Sequence, residues 1–175
     1  MIETERLNLK VLEKKHLEPL REMRNDPTTW QWLTSIKFIS ELEQEKWFER
    51  LSQDESRLYL AIEDKMGNFV GVIRSDEWDR TNGSVRVGSD ISRSCRGQGY
   101  GTEALGSFVN YLFKQQNMHR IWLLVSDGNV VAKKLYSKLG FKEEGRMRDA
   151  LYRDGKYWDY ISMSILEEEW KWENK

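Results

Sequence analysis

The chain has 175 residues, a length that suits one domain with a sizeable core and is short for two. Its 28 Lys and Arg residues nearly balance its 29 Asp and Glu residues, so it lacks the uniform positive field of proteins that bind nucleic acid through phosphates. The single cysteine, Cys95, cannot form an internal disulfide, and no CxxC or HExxH spacing occurs. We therefore expect no nucleic-acid partner, no disulfide scaffold and no metal.

The N-terminal stretch MIETERLNLK is charged from Glu3 onward and lacks the apolar segment of a signal peptide. No apolar run is long enough to span a bilayer. These features predict a cytoplasmic protein without a membrane partner. Because no linker, repeat or low-complexity segment interrupts the chain, we expect a single domain over residues 1–175.

The first third of the chain reads as one strand followed by two helices. Alternating apolar residues predict a strand over residues 7–11, and the stretch 14–26 predicts a short helix that stops before Pro27. Ser40 and Glu43 have the spacing of a capping box at the start of the second helix. The apolar side expected for that helix consists of Leu42, Trp47 or Phe48, and Leu51.

The middle of the chain changes to a strand pattern. Residues 57–63, 69–75 and 84–91 are short and strand-like, and the DKMGN segment between the first two suits a tight turn, so an antiparallel meander is expected. Next come a helix from Thr102 onward, a strand over residues 120–125, and a helix that Gly140 closes. The strand, helix, strand sequence predicts that residues 84–91 and 120–125 pair in parallel.

The segment RSCRGQGYGTEAL, residues 93–105, places Gly97, Gly99 and Gly101 at alternate positions between a strand and a helix. A bare loop at a helix N-terminus presents unpaired N–H groups and the positive end of the helix dipole, which suits an anion. The spacing matches neither a Walker loop nor the G-x-G-x-x-G dinucleotide fingerprint. A flexible turn before a helix is the other interpretation of these glycines.

Two motifs resemble those of the GCN5-related N-acetyltransferases (GNAT). RGQGYG fits the signature Q/R-x-x-G-x-G/A through Arg96, Gly99 and Gly101. NVVAKKLYSKLGF resembles the second motif of that family, with Asn129 and Tyr136 in the matching places. The flanking segments resemble the branch that contains ribosomal-protein-alanine, spermidine and amino-sugar N-acetyltransferases.

The resemblance implies a single α/β (α+β) domain, with a mixed central sheet flanked by helices in the order β-α-α-β-β-β-α-β-α-β-β. It also implies that the glycine loop binds the pyrophosphate of acetyl-CoA through backbone amides, with Arg93 or Arg96 as counter-charge. The implied coenzyme-binding residues are Ile91, Ser92, Arg93, Arg96, Gly97, Gln98, Gly99, Tyr100, Gly101, Thr102, Asn129 and Lys133.

Acetyl transfer to an amine requires a neutral amine, a stabilised oxyanion and a proton for the leaving thiolate. By resemblance, Tyr136 is the general acid at the coenzyme sulfur, and transfer is direct, through a tetrahedral intermediate. Asn129 is expected to bind the pantetheine arm, to cap its own helix, or both. The oxyanion donor is expected to be a backbone N–H near Asp90 or Ile91, where family members carry a bulge.

The general base is where the sequence departs from its relatives, because Arg86 stands where this branch often has Glu. Asp76, Glu77 and Asp79 end the neighbouring strand, and Glu77 is the first candidate for the base, with Asp90 second. These carboxylates also fit solvated loop charges, and a water chain is an alternative base. Cys95 reads as a spectator thiol.

We expect the acceptor to be a small primary amine, either a nucleotide-linked amino sugar or a polyamine. A ribosomal-protein N-terminus is one alternative, and a non-catalytic coenzyme A sensor, suggested by Arg86, is another. The aromatic residues of the first helical region fit either core packing or a substrate wall; they are Trp30, Trp32, Trp47 and Phe48. A homodimer is left open.

Overall fold

The computed structural model of the protein describes residues 1–172, so the last three residues of the expected domain lie outside it. One eight-stranded mixed sheet has the strand order β1-β2-β3-β4-β5-β6-β8-β7. The strands are β1 Ile2–Glu3, β2 Leu7–Val11, β3 Leu58–Asp64, β4 Phe69–Asp79, β5 Ser84–Ile91, β6 Arg120–Ser126, β7 Lys142–Arg153 and β8 Lys156–Leu166. The helices are α1 Leu17–Asn25, α2 Pro27–Trp30, α3 Glu41–Leu51, α4 Tyr100–Gln116 and α5 Val130–Lys138.

The predicted α/β architecture is confirmed, and two short elements are added to the predicted order. The first is the two-residue strand β1, which pairs with β2. The second is α2, which begins at Pro27, the residue expected only to stop the preceding helix. Pro27 does both, because proline at the first helical position needs no N–H partner and Asp26 caps the new helix through the Thr28 N–H at 2.7 Å.

The helix ends follow the predicted local chemistry. Ser40 and Glu43 form a reciprocal capping box at the start of α3. Gly140 has a φ of +93° just beyond α5, a left-handed conformation that glycine adopts without strain. One prediction for α3 is wrong: Leu42 does not belong to its packed apolar side. Leu42 is 58% exposed, and Trp47, Phe48 and Leu51 form the side that packs.

Helices cover both faces of the sheet. On one face, α4 buries an apolar stripe that includes Leu105, Phe108, Val109 and Leu112, all 0% exposed. On the other face, α1 and α3 pack over β3 and β4 in a smaller cluster. Among residues 1–172, no helix is long and apolar enough to cross a membrane.

The meander and the parallel pair are confirmed, but the parallel pair is short. Strands β3, β4 and β5 pair in antiparallel fashion. Strand β5 pairs in parallel with β6 only from Ser84 to Arg86, opposite Arg120 to Trp122. Beyond Arg86 the two strands separate, while β6 stays paired with β8 as far as Ser126. The sheet therefore has a gap at its centre, beside the carboxyl end of β5.

Candidate active site

A cleft of about 510 Å³ lies at this gap, between β5, the glycine loop and α5. Ten of the predicted site residues line it: Asp90, Ile91, Arg96, Gly97, Gly99, Tyr100, Gly101, Thr102, Asn129 and Tyr136. The remaining five, Glu77, Ser92, Arg93, Gln98 and Lys133, do not line it. The two motifs of the sequence therefore meet in one cleft.

The three glycines of the loop are required for two different reasons. Gly97 and Gly99 have φ values of +77° and +83°, a left-handed backbone that side chains disfavour. Gly101 lies where α4 approaches α5, since an added Cβ would meet Leu135 Cδ1 at 3.0 Å. The first N–H groups of α4 have no intrahelical acceptor, as in any helix, and the N-cap residue Gly99 has no side chain that could accept from them. The loop thus forms a cradle of free N–H donors at a positive helix end.

Arg96 braces the loop as well as carrying charge. Its Nε donates to the Ile91 carbonyl at 2.9 Å, and its Nη2 donates to Thr29 Oγ1 at 2.6 Å. Its Nη1 donates to Thr28 Oγ1 at 2.8 Å. The sequence analysis did not single out Thr28 or Thr29, because α2 carries no periodic signal of its own. Arg96 therefore fixes β5, α2 and the glycine loop relative to one another.

Ser92 and Arg93 line a different cavity, of about 640 Å³, beside Glu22 and Asp26. The expected counter-charge from Arg93 is therefore directed away from the cleft, and Arg96 is the arginine that lines it. Gln98 contributes its carbonyl to the outer side of the loop, where it accepts from Arg6 Nη1 at 2.9 Å. Arg6 in turn pairs with Glu103 of α4 at 2.7 Å, which holds the loop from behind.

Asn129 is confirmed as a helix cap. Its Oδ1 accepts the Ala132 N–H at 3.1 Å at the start of α5. The carbonyl oxygen of the side chain is thereby engaged, which leaves the amide N–H groups of Asn129 as the donors at the cleft. Its contact with the pantetheine arm remains a prediction.

Tyr136 lies on α5 at the inner end of the cleft and is 9% exposed. Burial is the main cause that raises its pKa to about 12; the charge of Asp90 raises it further and that of Arg74 lowers it. A phenol with this pKa stays protonated at physiological pH. It can therefore donate a proton to an anion in the cleft.

Asp90 is paired with Arg74, which the sequence analysis missed. Arg74 Nη1 lies 2.7 Å from Asp90 Oδ2. Arg74 is opposite Gly88 in the β4–β5 ladder, and its guanidinium passes directly over that glycine. Asp90 and Arg74 carry opposite charges, and both charges act on the pKa of the Tyr136 phenol.

The bulge expected near Asp90 and Ile91 is not present on the β4 side. The β4–β5 register is unbroken from Asp76 opposite Arg86 to Gly71 opposite Ile91. A free N–H arises there for another reason. Ser92 N–H donates across to the Val70 carbonyl at 2.9 Å, and neighbouring N–H groups along a strand alternate in direction. The Ile91 N–H therefore points away from β4, toward the gap that β6 leaves open.

Glu77 lies away from the cleft, at the irregularity of β4 between Asp76 and Asp79. Its φ is +50°, its side chain is 51% exposed, and its carboxylate lies 2.8 Å from Arg86 Nη1. Arg86 also holds both carboxylate oxygens of Asp76, at 2.7 and 3.0 Å. The arginine that stands in place of the family glutamate thus neutralises Asp76 and Glu77, of which Glu77 was the first candidate for the base.

The aromatic residues divide between the two interpretations. Trp47 packs edge-on against Tyr59 at 5.2 Å, and Phe48 joins the same core cluster. Trp32 lines the cleft and is 37% exposed. Cys95 also lines the cleft and is a free thiol. No group of three or more His, Cys, Asp and Glu side chains within residues 1–172 is placed to hold a metal ion.

Comparison with known proteins agrees with this geometry. The family model described as Acetyltransferase (GNAT) domain matches residues 6–142. The spermidine N(1)-acetyltransferase of Vibrio cholerae serotype O1 (strain ATCC 39315 / El Tor Inaba N16961) is 26% identical over 161 residues, which is 92% of this chain and 93% of the relative. The ribosomal protein uS5-alanine N-acetyltransferase of Escherichia coli (strain K12) is 25% identical over 166 residues, which is 90% of this chain and 79% of the relative.

Among solved structures, the spermidine N-acetyltransferase from Vibrio cholerae in complex with CoA and spermine superposes with a TM-score of 0.89. It shares 25% sequence identity, and the match covers 93% of this chain and 96% of that one. A sheet that separates beside a glycine-rich helix N-terminus is the architecture of an acyltransferase that uses a coenzyme A thioester. The chain belongs to the GCN5-related N-acetyltransferase (GNAT) family, whose members use acetyl-CoA.

Proposed function

We propose that the protein transfers the acetyl group of acetyl-CoA directly to a small primary amine. The observation that carries the proposal is Tyr136, a buried phenol at the inner end of the cleft that the glycine loop lines. Binding alone does not require a buried proton donor there. The non-catalytic sensor loses its main support as well, because Arg86 has a structural role in neutralising Asp76 and Glu77.

The residues of the cleft fit the parts of coenzyme A. The N–H groups of the loop from Gly97 to Gly101 suit the pyrophosphate, because bare glycines admit phosphate oxygens to the backbone. The amide N–H groups of Asn129 suit a carbonyl of the pantetheine arm. Arg96 supplies positive charge at the cleft. The contacts of Gln98 and Lys133 with coenzyme A remain predictions, because neither residue lines the cleft.

In the proposed transfer, the amine nitrogen forms a bond to the acetyl carbon and the bond from that carbon to sulfur breaks. The Ile91 N–H, which points into the gap, donates to the oxygen that becomes negative. The departing thiolate takes the proton of Tyr136. An ammonium group loses one proton to become the attacking amine, and the nitrogen loses a second proton after the new bond forms. This second proton replaces the one that Tyr136 gave to the thiolate, so charge and protons balance.

Asp90 is the carboxylate that we propose for the amine side of the site. It lines the cleft together with Tyr136, whereas Glu77 does not. Its pairing with Arg74, at 2.7 Å, holds it in place on the amine side of the site. The proton that leaves the amine is accepted by Asp90 or, through Asp90, by water.

For the acceptor, we propose a small amine, with an amino-sugar nucleotide and a polyamine as the two classes. Similarity to the spermidine N-acetyltransferase supports the polyamine. Trp32, which lines the cleft, suits the face of a sugar or a base. The relative that acts on ribosomal protein uS5 keeps a protein N-terminus as an alternative acceptor. A cytoplasmic location, a homodimer and independence of metal remain predictions.

The test is to mix the protein with acetyl-CoA and a panel of amines and to monitor free thiol. Amine-dependent thiol release with stoichiometric N-acetylated product would support the proposal. Tight coenzyme A binding without release for any amine would favour the sensor.

A further inference from the structure

A second cavity, of about 170 Å³, lies next to the cleft and shares Asp90 with it. It is enclosed by α1, by residues 33–35, and by the inner strands β3 and β4. Because Asp90 lies on both cavities, a molecule bound here is adjacent to the cleft that Tyr136 lines. The cavity is smaller than the roughly 300–1,000 Å³ of most ligand pockets, so it suits one end of a molecule.

The charge of this cavity is positive. Arg24 and Arg74 line it, and Asp90 is its one carboxylate. Asp90 is already paired with Arg74 at 2.7 Å. No hydrogen-bond or ion-pair partner of the Arg24 side chain is found among residues 1–172, and its Nε is buried from solvent. A half-buried guanidinium without a partner is costly, and a bound anion would remove that cost.

The carboxylates that a polyamine would need are engaged elsewhere. Asp76 and Glu77 are held by Arg86, and Asp79 accepts from Asn82 through both oxygens, at 2.9 and 2.7 Å. None of these three lines the cavity. A cationic chain would therefore meet two arginines and one neutralised aspartate, which is unfavourable.

The wall formed by residues 33–35 is fixed at both ends. Arg153, at the end of β7, donates to the carbonyls of Gln31, at 3.2 Å, and of Leu33. On the other side, the Asn25 side chain exchanges two hydrogen bonds with the backbone of Ile39, at 2.9 and 2.8 Å. The cavity is thus preformed, which lowers the entropy that a ligand loses on binding.

We propose that the acceptor amine carries an anionic group, a carboxylate or a phosphate, and that Arg24 binds this group. The inference rests on the proposed function and narrows its acceptor to one class. Arg24 pairs with the anion while Asp90 faces the amine, so the molecule is oriented with its nitrogen toward the cleft. Arginine suits both anions because its planar donors match their oxygens in pairs.

The test compares kcat/KM, from thiol release, for acceptors that differ only in the anion. Glucosamine 6-phosphate and glucosamine form the phosphate pair, leucine and leucinamide form the carboxylate pair, and spermidine is the cationic reference. We expect at least about a tenfold preference for the anionic member of one pair, equal to roughly 1.4 kcal/mol. Arg24→Met should remove the preference, and Arg24→Lys should retain part of it.

Arg21→Met is the matched control, because Arg21 lies on the same helix but pairs with Glu18 and lines another cavity. It should keep the preference. Spermidine as the best acceptor, or equal rates within both pairs, would overturn the inference while leaving acetyl transfer intact. If no amine is acetylated, the proposed function fails, and calorimetry in the presence of coenzyme A still tests the anion site. It compares N-acetylglucosamine 6-phosphate with N-acetylglucosamine, and N-acetylleucine with N-acetylleucinamide. Tighter binding of the anionic member in either pair supports the anion site, and equal binding within both pairs refutes it.

Discussion

Arg74 reaches Asp90 by crossing over Gly88, the residue opposite it in the β4–β5 ladder. A Cβ at Gly88 would lie 2.9 Å from Arg74 Cζ, so the ion pair depends on the absence of a side chain there. The glycine thus sets the position of the charged pair that faces Tyr136.

Gly88→Val should displace the Arg74 guanidinium and lower kcat/KM for the amine, with coenzyme A affinity unchanged. The chain should stay folded, because the obstructing atoms belong to the end of a flexible side chain. Steady-state kinetics and calorimetry measure the two effects. Gly145→Val is the control, since nothing lies within 4 Å of an added Cβ at that position. Equal losses in both variants would show that Arg74 is not involved.

Gly99→Val should weaken coenzyme A binding strongly, because the φ of +83° disfavours a β-branched residue and the added Cβ would meet Arg6 Nη2 at 3.2 Å, so the loop must change its shape. The matched control is Gly67→Val, which has a φ of +87° in the β3–β4 turn, remote from the cleft. Both variants carry the same backbone strain, so calorimetric titration isolates the cradle. Unchanged affinity in Gly99→Val would remove the loop from the binding site.

Tyr136→Phe should lower kcat by about 10²- to 10⁴-fold, the usual contribution of a general acid, with little change in acetyl-CoA binding. Tyr111→Phe is the control, because its hydroxyl bonds Gln116 on α4 and does not line the cleft. Rates are compared under conditions where chemistry limits turnover. If Tyr136→Phe is as fast as the wild type, another group protonates the thiolate.

Asp90→Asn should shift the pH profile of kcat/KM upward, because an enzyme without its base relies on amine that is already neutral. Glu77→Gln serves as the comparison, since Glu77 lies on the exposed side of β4. Its profile should match that of the wild type. The opposite result, a shift in Glu77→Gln alone, would restore Glu77 as the base.

Glu63 should stabilise the fold at neutral pH, and this contribution should be lost in acid. It is 1% exposed; burial by itself raises its pKa, but hydrogen bonds from Lys10, Lys15 and His16 outweigh this and lower the pKa to about 2. A depressed pKa stabilises the fold above the ordinary value of 4.5, and this stability is lost as pH falls toward about 2. Glu63→Gln should flatten the decrease of Tm over that window. A wild-type slope in the variant would contradict the assignment.

The sequence predicts what depends on local spacing. The glycine loop, Asn129 and Tyr136 were found because each belongs to a short motif that resembles one of the family's, and the structure brings them to one cleft. Arg74 and Arg24 were missed because their roles depend on which strand and helix lie opposite them. Glu77 illustrates the same limit: it follows the right strand, but the irregularity of β4 and the pairing with Arg86 hold it away from the cleft.

The short pairing of β5 with β6 has a mechanical consequence. Three residue pairs join the two halves of the sheet there, so the β5 amides beyond Arg86 that point away from β4 lack the second ladder that the amides before them have. A ligand that occupies the gap can supply hydrogen-bond partners there, and it stabilises the fold by an amount that grows with the logarithm of its concentration relative to its Kd. Hydrogen exchange at Ser89 and Ile91 should slow more on adding coenzyme A than exchange in the hairpin of β7 and β8. The exchange rates at these two amides therefore report directly whether the gap between β5 and β6 holds a ligand.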